Sequence, residues 1–358
     1  MTAIPVTKSY LPPIKDYFEY IERIWDSNQL TNNGQFVQEL ETKLKEYLGV
    51  KHLFFVSNGT IALQIAIKAL DLRGEIITTP FSYVATASSI VWEGCQPVFV
   101  DIDPQTLCID PELIEEAITE KTTGILPTHV YGIPCDVEKI QQIAQKRGLK
   151  VIYDASHTFG VKYKGMSLVS YGDISTLSFH ATKIFHTVEG GGIITDDDEL
   201  AHRIGYMRNF GHKSQEEFWG LGINGKNSEF HAAIGLCNLP HIEEIIACRK
   251  KVNGWYEELL AGSELTRPIL PESTEYNYSY YPVVFPTENA LIQARDILNK
   301  AQIFPRRYFF PSLETLPYVK TRQVLNSQKA SQRVLCLPLF NDLSRESVEE
   351  ICRLLLIG

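Results

Sequence analysis

ISTLSFHATKIFHTVEGGGIIT, residues 174–195, reads as two short strands with one lysine and three glycines between them. ISTLSF (174–179) and GGIIT (191–195) are short apolar runs with β-branched residues, bounded by turn formers. Lys183 follows the first run in a segment of low charge, flanked by Ala181, Thr182, Ile184 and Phe185. Three successive glycines, Gly190 to Gly192, cost backbone entropy, so they argue for a tight turn and an entry into the next strand without side-chain clash.

Upstream, the same kind of run recurs at EIITT (75–79), PVFVDI (97–102), TGILPTHV (123–130) and KVIYD (150–154). Helical patterns intervene at IALQIAIKAL (61–70) and VEKIQQIAQKRG (137–148). This alternation predicts an α/β fold, a largely parallel sheet with helices on both faces, with ligands beyond the carboxyl ends of its strands. IKDYFEYIERIW (14–25) has apolar residues at helical spacing; TNNG (31–34) breaks it, and a second helix runs to about Tyr47. The last hundred or so residues read differently: a helix over 241–262, an alternating strand NYSYYPVVF (277–285), a helix over 289–301 and a closing helix Arg345 to Leu355. We therefore expect a large α/β domain with an N-terminal helical arm over 1–240 and a small C-terminal α+β domain over 241–358.

Composition narrows the function. Of 358 residues, 44% are apolar and 22% charged, and the net charge of −9 disfavours a nucleic-acid partner. No apolar run approaches the roughly 20 residues that span a bilayer, and MTAIPVTKSYLPP lacks the apolar core of a signal peptide. No membrane partner is expected, and the location is expected to be cytoplasmic. The seven cysteines are odd in number and form no CxxC pair, which argues for reduced thiols and against a disulfide or zinc framework; no metal is expected at the site.

Four features fall at strand ends. Asp154 closes VIYD, where α/β proteins place their sites, though a carboxylate there also serves as a helix cap. Lys183 has the chemistry to bond an aldehyde, whereas most lysines are solvated surface charges. SNGT (57–60) opens a helix with small residues whose N–H groups suit an anion or simply cap the helix. PFSYVATA (80–87) brings Phe81 and Tyr83 to the sheet edge, where an aromatic either stacks on a flat ring or packs in the core. Together they supply a phosphate cradle, a ring face, an acid and an amine, the set that holds pyridoxal phosphate. Asp154 would keep the ring nitrogen protonated.

The motifs SNGTIAL, TTPFSYVATASSI, PVFVDID, YDASHTFG, GDISTLSFHATK, EGG, INGKNSEFHAAIG, YFFPSL and CLPLF resemble the DegT/StrS-type nucleotide-sugar aminotransferases, nearly end to end. The resemblance implies the aspartate-aminotransferase fold (type I), a large α/β/α domain with a mainly parallel seven-stranded sheet. It implies that Lys183 bonds the cofactor, Asp154 pairs with the ring nitrogen, His157 bonds the ring hydroxyl and Tyr83 stacks on the ring. Gly59, Thr60 and Ser178 match the phosphate binders. Asn224 matches an asparagine that reaches a phosphate from the neighbouring subunit, which implies a homodimer with shared sites. Lys226 and Asn227 depart from the usual Arg-Met, and His157 from the frequent glutamine; His186 stands where a smaller polar residue is common. A sugar-dehydrating subgroup carries histidine in place of the lysine, and Lys183 argues against it.

The implied reaction passes an amino group from L-glutamate, through the pyridoxamine form of the cofactor, to a nucleotide-linked keto sugar. The opening IPVTKSYLPP and the TNNGQF loop look most like the subgroup forming dTDP-4-amino-4,6-dideoxyglucose for O-antigen from dTDP-4-keto-6-deoxyglucose. Amination at C3 of a dTDP-3-keto sugar is the alternative, and a non-catalytic regulator a second. The nominated sugar contacts are Asn32, Asn33, His186, Arg306, Arg307 and Tyr308, with arginine suited to a diphosphate. A nicotinamide oxidoreductase would need a G-x-G-x-x-G turn, which the chain lacks.

Overall fold

In the computed structural model, which describes residues 3–320 and 323–357, seven strands form the central sheet. They are β1 (His52–Val56), β2 (Glu75–Thr78), β3 (Gln96–Phe99), β4 (Thr122–Leu126), β5 (Lys150–Asp154), β6 (Ile174–Ser178) and β7 (Gly191–Thr195). Their spatial order is β1-β7-β6-β5-β4-β2-β3. β2 through β6 pair in parallel, and β7 runs antiparallel to both its neighbours, β1 and β6. The central strands are buried and nearly continuous in apolar or small residues, as both faces are covered.

The coverings are helices with apolar faces. α1 (Ile14–Ser27) and α2 (Gln35–Leu48) pack on one side with Phe55, Leu177 and Phe179 beneath them. α3 (Gly59–Ala69) starts at the end of β1, where Asn58 Oδ1 accepts the Ile61 N–H at 2.9 Å, and α4 (Val84–Trp92) follows β2. α5 (Val137–Arg147) is capped by Asp136 and closed by the left-handed Gly148. α6 (Asp198–Met207) and α7 (Glu229–Asn238) follow the sheet. The sequence patterns do not single out α4, α6 or α7, which are short.

α8 (Ile242–Leu259) spans two cores: Ile242 and Ile245 pack with α2 and α7, Val252 and Tyr256 with the C-terminal elements. Those elements are β8 (Tyr281–Val284), α9 (Glu288–Lys300), α10 (Leu325–Arg333), β9 (Val334–Leu337) and α11 (Arg345–Ile357), with β8 antiparallel to β9. Only 281–284 of the NYSYYPVVF run is a strand. The chain's start returns here: Ile4–Pro5 pairs in parallel with Ile303–Phe304.

The glycine triplet answers to crowding rather than to turn geometry, since none of Gly190, Gly191 and Gly192 has a positive φ. A Cβ on Gly190 would lie 2.1 Å from Thr187 Oγ1, and one on Gly191 2.5 Å from the Asn58 carbonyl oxygen. The strand thus passes directly against the turn that opens α3.

Candidate active site

The carboxyl ends of β1, β2, β5 and β6 surround a cavity of about 380 Å³. Gly59, Thr60, Tyr83, Asp154, His157, Ser178 and Lys183 all line it, joined by Arg306 and Tyr308 from the C-terminal part. Adjacent parallel strands bring Asp154 and Ser178 to neighbouring positions, because Asp154 ends β5 and Ser178 ends β6.

Asp154 is 4% exposed, and its carboxylate is held by donors. Thr86 Oγ1 donates to Oδ2 at 2.7 Å and the Ser156 N–H to Oδ1 at 3.2 Å. Thr86 in turn meets Ser82 Oγ at 2.8 Å, and Ser82 meets Thr128 Oγ1 at 3.0 Å. Each carboxylate oxygen accepts from one of these donors, which leaves acceptor capacity for a further N–H.

Lys183 is half-buried, and desolvation brings its amine down from 10.5 to about 8, with the Asp154 charge opposing that fall. A free amine is therefore available near neutral pH, which an exposed lysine does not offer. Its backbone N–H donates to the His180 carbonyl at 2.8 Å, which curls the loop after β6 back into the cavity. His157 is buried and pushed well below 6.5, first by desolvation and then by the Lys183 charge. Tyr83 is 60% exposed at the start of α4, free to present a ring face.

The donor set fits pyridoxal phosphate. The first N–H groups of α3, at Gly59 and Thr60, have no intrahelical acceptor and open on the cavity. A Cβ on Gly59 would come within 3.1 Å of Ser178 Cβ, so only glycine lets this turn and the Ser178 hydroxyl share one anion cradle.

The other nominated residues are not brought to this cavity within one chain. His186 is 2% exposed, its Nε2 donates to the Tyr10 carbonyl at 2.7 Å, and it packs where the N-terminal segment crosses back. Arg307 pairs with Glu288 at 2.7 Å and lies over the Phe310 ring. Asn33 Oδ1 accepts from Arg208 at 3.2 Å, and Asn32 lies beside it in an exposed turn with φ 64°. Asn224 accepts from Lys226 Nζ at 2.8 Å on an exposed loop between α6 and α7.

Several residues of the site escaped the sequence reading: Ser82, Tyr280, Phe309 and the His180–Glu189 pair at the cavity, and Thr86 behind it on Asp154. Thr86 and Ser82 stand in the TTPFSYVATASSI motif, where their small size and hydroxyls were the available signal. Phe309 stands in YFFPSL and Tyr280 in NYSYYPVVF, but neither pattern marks a cavity residue, and both arrive from the far end of the chain.

This fold and site define a pyridoxal-phosphate-dependent aminotransferase. The chain belongs to the DegT/DnrJ/EryC1/StrS aminotransferase family, whose model matches residues 14–356. It is similar to a dTDP-4-amino-4,6-dideoxy-D-glucose transaminase of Shigella dysenteriae, 43% identical over 353 residues, covering 97% of this chain and 96% of that one. A protein of the same name from Escherichia coli is 43% identical over 369 residues, with 99% and 98% covered. Among solved structures, DesI in the presence of its TDP-sugar product superposes with a TM-score of 0.95 at 30% identity, covering 100% of this chain and 93% of that one.

Proposed function

We propose that this enzyme moves an amino group from L-glutamate to C4 of dTDP-4-dehydro-6-deoxy-D-glucose, giving dTDP-4-amino-4,6-dideoxy-D-glucose for O-antigen synthesis. The near full-length identity of 43% to two transaminases of that name supports the sugar and the position. The observation that carries the chemistry is the convergence of a desolvated Lys183 amine and a buried, donor-held Asp154 carboxylate in one cavity.

Bound pyridoxal phosphate supplies a carbonyl carbon to carry the amino group and a ring to take up an electron pair when a C–H bond breaks. Lys183 would hold that carbon through its amine, and its free amine is the group that would move a proton as general base and then acid. Asp154, oriented by Thr86 and the Ser156 N–H, would accept the ring N–H and so favour the protonated ring nitrogen. Gly59, Thr60 and Ser178 would hold the phosphate, Tyr83 would cover a ring face and His157 would donate to the ring oxygen. Arg306 and Tyr308, at the cavity wall, take the sugar nucleotide, with the guanidinium on its diphosphate.

The same reading makes the enzyme a homodimer in which Asn224 reaches the phosphate in its neighbour's site. Its support is the loop carrying Asn224, which exposes Phe210, Phe218, Trp219, Leu221 and Ile223, an apolar patch that needs a cover. It also divides the chain at 240 and 241, just before α8, and places the protein in the cytoplasm, where its seven free cysteines stay reduced.

The test is a panel of dTDP-4-keto-6-deoxyglucose, dTDP-3-keto sugars and UDP- and GDP-linked analogues, with product regiochemistry read by NMR. Preferred amination at C3, or preference for another base, overturns the assignment.

A further inference from the structure

Tyr276 to Tyr280 alternates like a strand but is not one; its side chains grip two loops at the carboxyl end of the sheet. Tyr276 Oη donates to the Tyr131 carbonyl at 2.8 Å. Asn277, fully buried, donates both Nδ2 hydrogens, to the carbonyls of His157 and Phe159, each at 2.9 Å. Ser279 Oγ lies 3.2 Å from the His157 carbonyl, and its N–H donates to Asn277 Oδ1 at 3.1 Å. The Tyr280 ring meets the His157 ring edge-on at 5.0 Å. From below, Arg249 of α8 donates Nε to the Tyr278 carbonyl at 3.0 Å and Nη2 to the Ser279 carbonyl at 2.7 Å. A guanidinium only 4% exposed, whose described partners are carbonyls, is costly to bury and fixes this segment firmly.

The two gripped loops bond to each other. The Tyr131 N–H donates to His157 Nδ1 at 3.2 Å. Tyr131 takes the left-handed φ of 58°, uncommon outside glycine, and this conformation is braced by its neighbours. A Cβ on the following Gly132 would sit 2.8 Å from the His157 carbonyl, so the loops touch backbone to backbone. An imidazole nitrogen that accepts an N–H bears no hydrogen, so in the neutral ring the hydrogen is on Nε2. Phe309 stacks on that ring at 5.7 Å and 11°.

We propose that Tyr276–Tyr280, anchored by Arg249, is a positioning clamp that holds both ends of the Tyr131–His157 bond and so presents His157 to the cofactor as an Nε2–H donor. Tyr276 holds the carbonyl of the donor residue and Asn277 that of the acceptor residue. The C-terminal part of the chain thereby sets the state of a group that lines the cavity. The consequence for the cofactor rests on the reading of His157 given above; the clamp itself does not.

The experiment is 15N NMR of the full-length protein labelled in histidine, with the His157 ring signals assigned by their loss in His157→Gln. In the wild-type protein, with and without pyridoxal phosphate, His157 shows a single Nε2–H tautomer. In Tyr276→Phe and in Asn277→Ala it becomes a mixture of tautomers, and pyridoxal phosphate binds Asn277→Ala about tenfold more weakly, the effect of losing one hydrogen bond from His157 to the cofactor. Tyr276→Phe removes one hydroxyl and keeps the fold testable should Asn277→Ala not fold. A single Nε2–H tautomer retained in Tyr276→Phe overturns the clamp. A wild-type protein that binds no pyridoxal phosphate would defeat the reading of the cavity, while the tautomer measured on the cofactor-free protein still decides the clamp.

Discussion

The two walls of the cavity were built in different ways. The sheet-side wall, with Gly59, Thr60, Asp154, Ser178 and Lys183, consists of residues at strand ends or at the turns that follow them. The opposite wall, with Tyr280, Arg306, Tyr308 and Phe309, comes from segments that return from beyond residue 275 and carry no strand-end signature. Residues nominated for the first wall line the cavity. Of those nominated for the second, Arg306 and Tyr308 line it, whereas His186 and Arg307 are held by Tyr10 and Glu288. A parallel sheet turns sequence order into a shared edge, so residues that follow strands meet by construction. No such rule governs the returning segments, whose placement depends on which neighbour captures each side chain.

The contrast can be broken most directly at Lys183. Lys183→Ala abolishes transamination, measured as amino-sugar formation over many turnovers, while the protein stays folded by circular dichroism. Sustained turnover would remove the sheet-side wall from the chemistry. Asp154→Asn comes next, lowering kcat by about 10²–10⁴, the range of a positioned proton-transfer group. A near-normal rate would mean that the ring nitrogen does not depend on this carboxylate.

The pH dependence sharpens the same wall. Burial favours the neutral Lys183 amine, so its pKa falls from 10.5 to about 8. Only the neutral amine attacks a carbonyl, so the rate at which cofactor-free protein bonds pyridoxal phosphate rises with pH and levels off above about 8. A midpoint near 10, followed by absorbance in stopped flow, would show an ordinary solvated lysine.

The smallest effect tests the other side of the comparison. His186→Ala leaves kcat/KM and the choice of sugar unchanged but lowers unfolding stability by about 1–3 kcal/mol, because the Tyr10 carbonyl loses its donor and a buried ring is removed. Altered sugar preference with unchanged stability would return His186 to the substrate side.

The glycine triplet and NYSYY show where local reading stops. Three glycines signal that the backbone needs room, and they do provide it, but the groups that crowd them are Thr187 and Asn58, one of them far away in sequence. NYSYY has the period of a strand, yet only the part from Tyr281 finds a partner, in β9. The rest spends its polar groups on Tyr131, His157 and Phe159, loops whose proximity no periodicity encodes.

By itself the sequence determined the α/β alternation, the family resemblance and the placing of Gly59, Thr60, Asp154, Ser178 and Lys183 at one edge, because hydrophobic period and turn residues act locally and strand ends share an edge. Only the tertiary structure decided that Arg306 and Tyr308 enter the cavity while Arg307 between them does not. Successive side chains of an extended segment point to opposite sides, and which side faces the cavity is settled when Arg306 pairs with Cys336 and Glu288 takes the guanidinium of Arg307.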